Sequence, residues 1–170
     1  MTANLRIGLG IDTHRLAAGR PCRLGGIQIP SEVGPTGHSD GDAVLHAACD
    51  ACLGAAGLDD LGSLFPDTDT ANRDRDSREF CREVLALLRE HGCEVLSLDI
   101  VVEAEQPKLA PHRAAIRASV AALFQVAEGR VNVKGKTAES LGAIGRGEAL
   151  RVTAVALVET TAPATGSAAG

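Results

Sequence analysis

The sequence predicts an α+β chain, a sandwich in which one sheet carries helices on one of its faces. Three observations predict it. Strand-like alternating segments take turns along the chain with segments of helical apolar spacing. A Gly-Gly hairpin interrupts that alternation once. The chain has 170 residues and 45% hydrophobic content, enough to bury one core without disulfides or other staples.

The elements follow in order. Leu5–Ile11 alternates as a strand, with Gly8 and Gly10 where another backbone comes close, and it delivers Asp12-Thr13-His14 at its end. Arg23–Ile29 reads as a hairpin around Gly25-Gly26, and Pro30–Gly37 as a loop. The first helix runs from about Gly41 to Ala56 and stops at Gly57. Asp59–Asp76 is rich in Asp, Pro, Thr and Gly and reads as a loop. Ser77 caps a second helix, whose apolar positions Phe80, Cys81, Val84, Leu85, Leu87 and Leu88 keep helical spacing up to Gly92. Leu96–Ala104 is a strand broken by Gln106-Pro107-Lys108. A third helix follows Pro111, with Ile116, Val120 and Leu123 on its buried side. Val131–Lys134 is a short strand, Gly135–Gly147 a loop or short helical turn, and Val152–Val158 the last strand. The domain spans residues 1–161, and Ala162–Gly170, made of Ala, Gly, Ser, Thr and Pro, is expected to be a disordered tail. The type of sandwich expected is ferredoxin-like. The sheet face without helices needs cover, and oligomerisation supplies it most cheaply.

Composition excludes several classes. With 17 Lys and Arg against 22 Asp and Glu the net charge is −5, unlike a general nucleic-acid binder. No run of about 18 apolar residues exists to span a membrane. No secretory signal precedes the strand that begins at Leu5, so a cytoplasmic protein is expected. Five cysteines, an odd number, are expected to be free thiols; Cys49-x-x-Cys52 falls in an Ala-rich helix and reads as buried packing. Only 2% of residues are aromatic, so Val, Leu, Ile and Ala form the core.

The chemistry gathers at element ends, where sites are usually built. His38-Ser39-Asp40-Gly41-Asp42-Ala43-Val44-Leu45-His46 places two imidazoles, two carboxylates and a hydroxyl in nine residues. Ser39 reads as an N-cap, with Asp42 completing an S-x-x-D pattern. The helix N-terminus offers backbone N–H groups to a phosphate. Asp12 and His14, two apart on a strand, point the same way. With His46 they form a set of two imidazoles and one carboxylate, which leaves an open position of the kind catalytic zinc uses. On spacing alone Asp12 can equally cap a turn, with His14 and His46 unrelated. Phe65-Pro66-Asp67-Thr68-Asp69 can be a simple Asx-rich turn. Glu139, Arg146, Lys134, Lys136 and Thr137 form a cluster fit for phosphate or metal, or a solvated loop.

Taken together, the motifs resemble a known family. Gly10–His14, His38–Asp42 with His46, Phe65–Asp69, Gln106–Lys108, Val131–Lys134 and Gly145–Glu148 stand in the order and spacing of 2-C-methyl-D-erythritol 2,4-cyclodiphosphate synthases, over roughly Arg6–Glu159. The resemblance implies a homotrimer with active sites between subunits. It implies cyclisation of 4-diphosphocytidyl-2-C-methyl-D-erythritol 2-phosphate with release of CMP, in non-mevalonate isoprenoid synthesis. It implies a zinc ion on Asp12, His14 and His46, and a Mg²⁺ or Mn²⁺ held in part by Glu139. His38 and Thr137 would be the catalytic residues, with Ser39 on the phosphates. Asp60, Leu61, Gly62, Phe65, Pro66, Asp67, Thr68 and Asp69 would hold the methylerythritol part. Ala104, Glu105, Gln106, Pro107, Lys108, Leu109 and Ala110 of a neighbouring subunit would form the cytidine pocket. Lys136 and Arg146 join the substrate-binding set, and Asp42 would cap its helix and support a zinc-bound His. Lys136 and Ala138 stand where many members carry Thr, and Ala143 and Ile144 where a Phe and a small polar residue often line the trimer's central cavity. Two readings from other classes remain: a metal phosphohydrolase on the same ligands, releasing inorganic phosphate, and a non-catalytic binding module.

Overall fold

The computed structural model describes residues 4–37 and 39–161. His38 and the expected tail, Ala162–Gly170, lie outside the described residues.

The chain opens with a long strand, β1 (Asn4–Ala18), followed by the short strands β2 (Cys22–Leu24), β3 (Ile27–Ile29) and β4 (Val33–Pro35). Helix α1 (Ala43–Ala56), one-turn α2 (Leu61–Leu64) and α3 (Ser77–Glu90) come next. Then follow β5 (Cys93–Glu103), α4 (Arg113–Phe124), β6 (Val131–Lys136), one-turn α5 (Gly142–Gly145) and β7 (Ala149–Thr160). The main sheet has the order β4-β1-β7-β5-β6; β2 and β3 form a separate ribbon. β1 and β5 flank β7 antiparallel, and β5 and β6 are parallel. Helix α4 supplies the crossover that a parallel pair requires.

The fold is a mixed sheet with its helices on one face, as expected. The ferredoxin-like expectation is corrected: the main elements run strand–helix–helix–strand–helix–strand–strand, not β-α-β-β-α-β, and the parallel pair sits at the sheet edge. The long strand also reaches Ala18, and β4 lies inside the stretch read as a loop. Its pairing from Leu16↔Pro35 to Ala18↔Val33 explains both, because neither segment is apolar enough to announce a strand.

Close approach of β1 and α1 positions the site. Gly8, Gly10, Asp12, His14 and Leu16 occupy alternate positions on the inner face of β1. A Cβ on Gly8 would sit 1.8 Å from the Ala51 carbonyl oxygen, and one on Gly10 2.0 Å from that of Ala47. Only glycine lets the helix lie this low on the strand. Further along the same face, where β1 has side chains again, Asp12 and His14 meet His46 of the helix. Helix α1 is buried on nearly every side, because α3 packs over it away from the sheet. That position explains its Ala-rich composition and its lack of a polar stripe.

Two expected caps move by a few residues. The N-cap of α1 is Asp42, not Ser39; its carboxylate accepts from Leu45 N. The same carboxylate accepts from Gly25 N at 2.8 Å and Gly26 N at 2.6 Å, tying the β2–β3 turn to the helix. Asp42 therefore holds the turn and, among the described residues, makes no hydrogen bond to a histidine. The N-cap of α3 is Asp76, whose carboxylate accepts from Arg78 N, and Ser77 is the first helical residue. All five cysteines are free, as expected, and Cys49 and Cys52 are buried as expected; Cys22, Cys81 and Cys93 are buried as well.

Candidate metal centre and active site

Asp12 and His14 project from β1, and His46 from the second turn of α1, into one cavity of about 240 Å³. Asp12 Oδ2 lies 2.8 Å from His14 Nε2 and 3.1 Å from His46 Nδ1. The three ligand atoms fall within 4.8 Å of one another, the one such cluster among the described residues. The outer nitrogen of each ring is held in place. His14 Nδ1 donates to the Thr36 carbonyl at 2.8 Å. His46 Nε2 lies 2.8 Å from Ser77 Oγ, and that hydroxyl donates to Asp40. Because the Ser77 proton goes to Asp40, the hydroxyl is left to accept from His46 Nε2–H, and Nδ1 is the nitrogen that faces Asp12 and would ligate a cation. Fixing the far nitrogen in this way is how proteins orient metal-binding imidazoles. The donor set thus fits a divalent cation of the zinc type.

The electrostatics agree. Burial alone would raise the Asp12 carboxyl, but hydrogen bonds and charge from His14 and His46 hold it far below the usual carboxylate range. Burial alone would lower His14, and the Asp12 carboxylate overcomes it and raises the imidazole. A carboxylate that stays ionised and an imidazole with a strong partner are both suited to a cation.

The rest of the cavity wall comes from four elements. Ser39 is nearly buried, with its Oγ 3.3 Å from His46 Nε2. Leu61, Gly62, Phe65 and Asp67 line the opposite side. Asp60 caps α2 through Ser63 N at 2.7 Å, and Asp69 caps the 3₁₀ turn Thr70–Asn72 through Ala71 N. The Pro66 carbonyl accepts from Asn72 Nδ2, and Thr68 is exposed on the same loop. Three lining residues carried no prediction: Asp50, Asn72 and Phe80. Asp50 stands four residues after His46, so the helical period had already placed it on that face. Its Oδ1 accepts from Leu61 N at 2.7 Å, and burial pushes its carboxyl up.

A second cavity of about 190 Å³ holds most of the remaining predicted residues. Ala104, Lys108, Leu109, Ala110, Arg113, Gly135, Lys136 and Thr137 line it. Glu105 Oε1 accepts from Ala138 N, joining the loop after β5 to the loop after β6. Thr137 Oγ1 donates to Glu139 Oε1 at 2.8 Å. Gln106 and Pro107 belong to the same loop, joined by a cis peptide. Arg146 follows α5, is exposed and pairs with Glu148 at 2.9 Å, in neither cavity.

The two cavities open at the same end of the sheet but not together. Register aligns Thr13, Arg151, Glu103 and Lys136 across β1, β7, β5 and β6. Three inter-strand steps separate the outer two by roughly 14 Å. Within one chain the predicted residues therefore fall into two separate groups.

Comparisons with known proteins decide the family. The model of the YgbB family matches residues 5–159. The 2-C-methyl-D-erythritol 2,4-cyclodiphosphate synthase of Gemmatimonas aurantiaca is 51% identical over 158 residues, 93% of this chain and 95% of that one. The enzyme of that name from Geobacillus kaustophilus is 47% identical over 154 residues, 91% and 98% of the two chains. This chain belongs to that synthase family. Solved structures agree. A synthase of the family bound to CDP superposes with a TM-score of 0.84 at 44% identity, covering 90% of this chain and 99% of that one. The bifunctional IspDF of Campylobacter jejuni superposes at 0.89 with 38% identity over 94% of this chain, which spans 43% of that longer protein.

Proposed function

We infer that the cavity around Asp12, His14 and His46 is where this chain performs its family's reaction. That reaction is the cyclisation of 4-diphosphocytidyl-2-C-methyl-D-erythritol 2-phosphate to 2-C-methyl-D-erythritol 2,4-cyclodiphosphate, with release of CMP. The observation that carries the placement is the triad, with its ligand atoms converging and its outer nitrogens fixed.

The chemistry asks for little beyond positioning. The 2-phosphate oxygen attacks the β-phosphorus in line, the bond to the CMP oxygen breaks, and no covalent enzyme intermediate is needed. The protein has to fold a flexible, highly charged chain back on itself and neutralise charge as it moves. We assign the triad to zinc, and Glu139 to part of a Mg²⁺ or Mn²⁺ site. Such cations polarise phosphoryl oxygens and offset their charge. Ser39, beside His46, is placed to donate to a phosphate oxygen. His38 precedes it in the chain, and the family pattern gives His38 and Thr137 the catalytic roles. Leu61, Gly62, Phe65 and Asp67 line the wall we assign to the methylerythritol part, and the assignment extends to Asp60, Pro66, Thr68 and Asp69 beside them in the chain.

The cytidine pocket is assigned to Ala104–Ala110 with Lys136 and Thr137. The CDP held by a relative of 44% identity supports a cytidine site in the family. The separation of the two cavities within one chain supports a pocket supplied by a second copy of the chain. The face of β1 opposite the helices supports the same reading: Leu5, Ile7, Leu9 and Ile11 are 52–74% exposed along it. A row of large apolar side chains on a sheet face marks an interface. We assign a homotrimer whose sites lie between subunits. Five free, buried cysteines suit a reducing cytoplasmic setting. Among the described residues no helix is long and apolar enough to cross a membrane.

Subunit complementation tests this assignment. His46→Ala breaks one half-site, and Thr137→Ala with Glu139→Ala breaks the other. Refolding the two inactive proteins together is expected to restore CMP release, because some interfaces then pair two intact halves. Mixed oligomers as inactive as either parent would place both halves in one subunit.

A further inference from the structure

We propose that Arg75 is a positioning residue for substrate binding: its guanidinium latches the Phe65–Asn72 loop against α3. Arg75 itself does not line the cavity around the triad. Its guanidinium carbon lies 4.9 Å from the Phe80 ring centroid and 5.7 Å from that of Phe65, whose centroids are 4.8 Å apart. Both rings line the cavity. Arg75 Nη1 donates to Asn72 Oδ1 at 3.4 Å, and buried Asn72 in turn donates to the Pro66 carbonyl at 3.0 Å. One side chain thus grips both ends of the loop that bears Phe65 and Asp67. On the other side, Arg75 Nε donates to Glu79 at 2.9 Å, and its remaining nitrogen pairs with Glu83 on the next turn of α3.

The backbone of the same residue reaches the metal centre. The Arg75 carbonyl accepts from Asp40 N at 3.2 Å, and Asp40 holds Ser77, whose hydroxyl contacts His46. Phe80 stands between the two systems, its centroid 6.2 Å from that of His46. The latch therefore sets the shape of the wall that faces the triad.

Magnitudes say which contacts carry it. Glu79 and Glu83 are about half exposed, and exposed ion pairs contribute little. The guanidinium plane stacked on the two rings is the stronger element, and lysine cannot reproduce it. This proposal rests on the reading of the Phe65–Asp69 loop as a substrate wall.

Steady-state kinetics on the metal-loaded enzyme test it. Arg75→Ala is expected to raise KM about tenfold with kcat within about threefold, the pattern of lost ground-state positioning, and to leave metal content unchanged. Arg75→Lys is expected to raise KM nearly as much, since it keeps the charge and loses the plane. The double variant Glu79→Gln with Glu83→Gln is expected to hold KM within about twofold. Asp67→Asn reports on the loop itself. If it raises KM and Arg75→Ala does not, the latch is refuted while the substrate wall stands. If neither raises KM, the wall reading falls and takes the latch with it. Full rescue by Arg75→Lys, or a loss of thermal stability alone, would also overturn the proposal.

Discussion

At the residue scale, Asp12 is the centre of the candidate metal site, since both imidazoles lean on one of its oxygens. Its carboxylate raises His14, so a cation binding there has to displace a proton that His14 holds to higher pH than an ordinary imidazole. Zinc affinity is therefore expected to weaken as pH falls through the imidazole range. The fall should begin at a lower pH in Asp12→Asn, where that support is gone. Competition with a chromophoric chelator across the range reads both. Asp42 is a second telling residue, wholly buried and accepting from three backbone N–H groups. Asp42→Ala leaves all three unpaired and is expected to cost about 3 kcal/mol or more in denaturant unfolding. Asp76 gives the pH signature of α3. The Arg78 hydrogen bonds hold its carboxyl at about 2, below the ordinary 3.8. A depressed carboxyl stabilises the fold above its unfolded value and loses that contribution on acidification. The stability gap between the wild type and Asp76→Asn should be full near neutral pH and close as pH falls towards about 2.

At the element scale, the approach of β1 to α1 is what brings the triad together. Gly8→Ala places a methyl group against the Ala51 carbonyl and forces strand and helix apart. The expected loss is at the upper end of about 1–3 kcal/mol, read by urea unfolding, with weakened zinc affinity because His46 moves with the helix. This close approach was legible in the alternation of Leu5–Ile11 with its two glycines. So were the α3 stripe, the Gly57 stop and the strand pair carrying Asp12 and His14, because each rests on a short-range period. What the sequence hid depends on distant partners. Ser39 and Ser77 read as caps because Ser is a good cap; both hydroxyls are instead near His46, and Asp42 and Asp76 take the caps. β4 is invisible without Leu16–Ala18 to pair it. Sheet order, and with it the departure from the ferredoxin-like arrangement, follows from which strands meet, which local spacing does not encode.

At the scale of the whole molecule, one chain shows two separate cavities at one end of a sheet and an apolar stripe on the bare face. A single charge in the stripe separates assembly from folding. Ile7, 74% exposed, contributes little to the protomer's own core, so Ile7→Lys is expected to leave secondary structure intact. Light scattering should show a smaller species than the wild type, and CMP release should fall with it, as the proposed placement of the sites between subunits requires. An unchanged oligomer would remove β1 from the interface.

The most direct test of the central claim is a phosphorus NMR time course with 4-diphosphocytidyl-2-C-methyl-D-erythritol 2-phosphate, Mg²⁺ and zinc-loaded protein, with His46→Ala in parallel. CMP and a cyclic diphosphate, formed in equal amounts by the wild type and absent from the variant, are the predicted result. Inorganic phosphate in place of the cyclic product, or an undiminished reaction in His46→Ala, would contradict it.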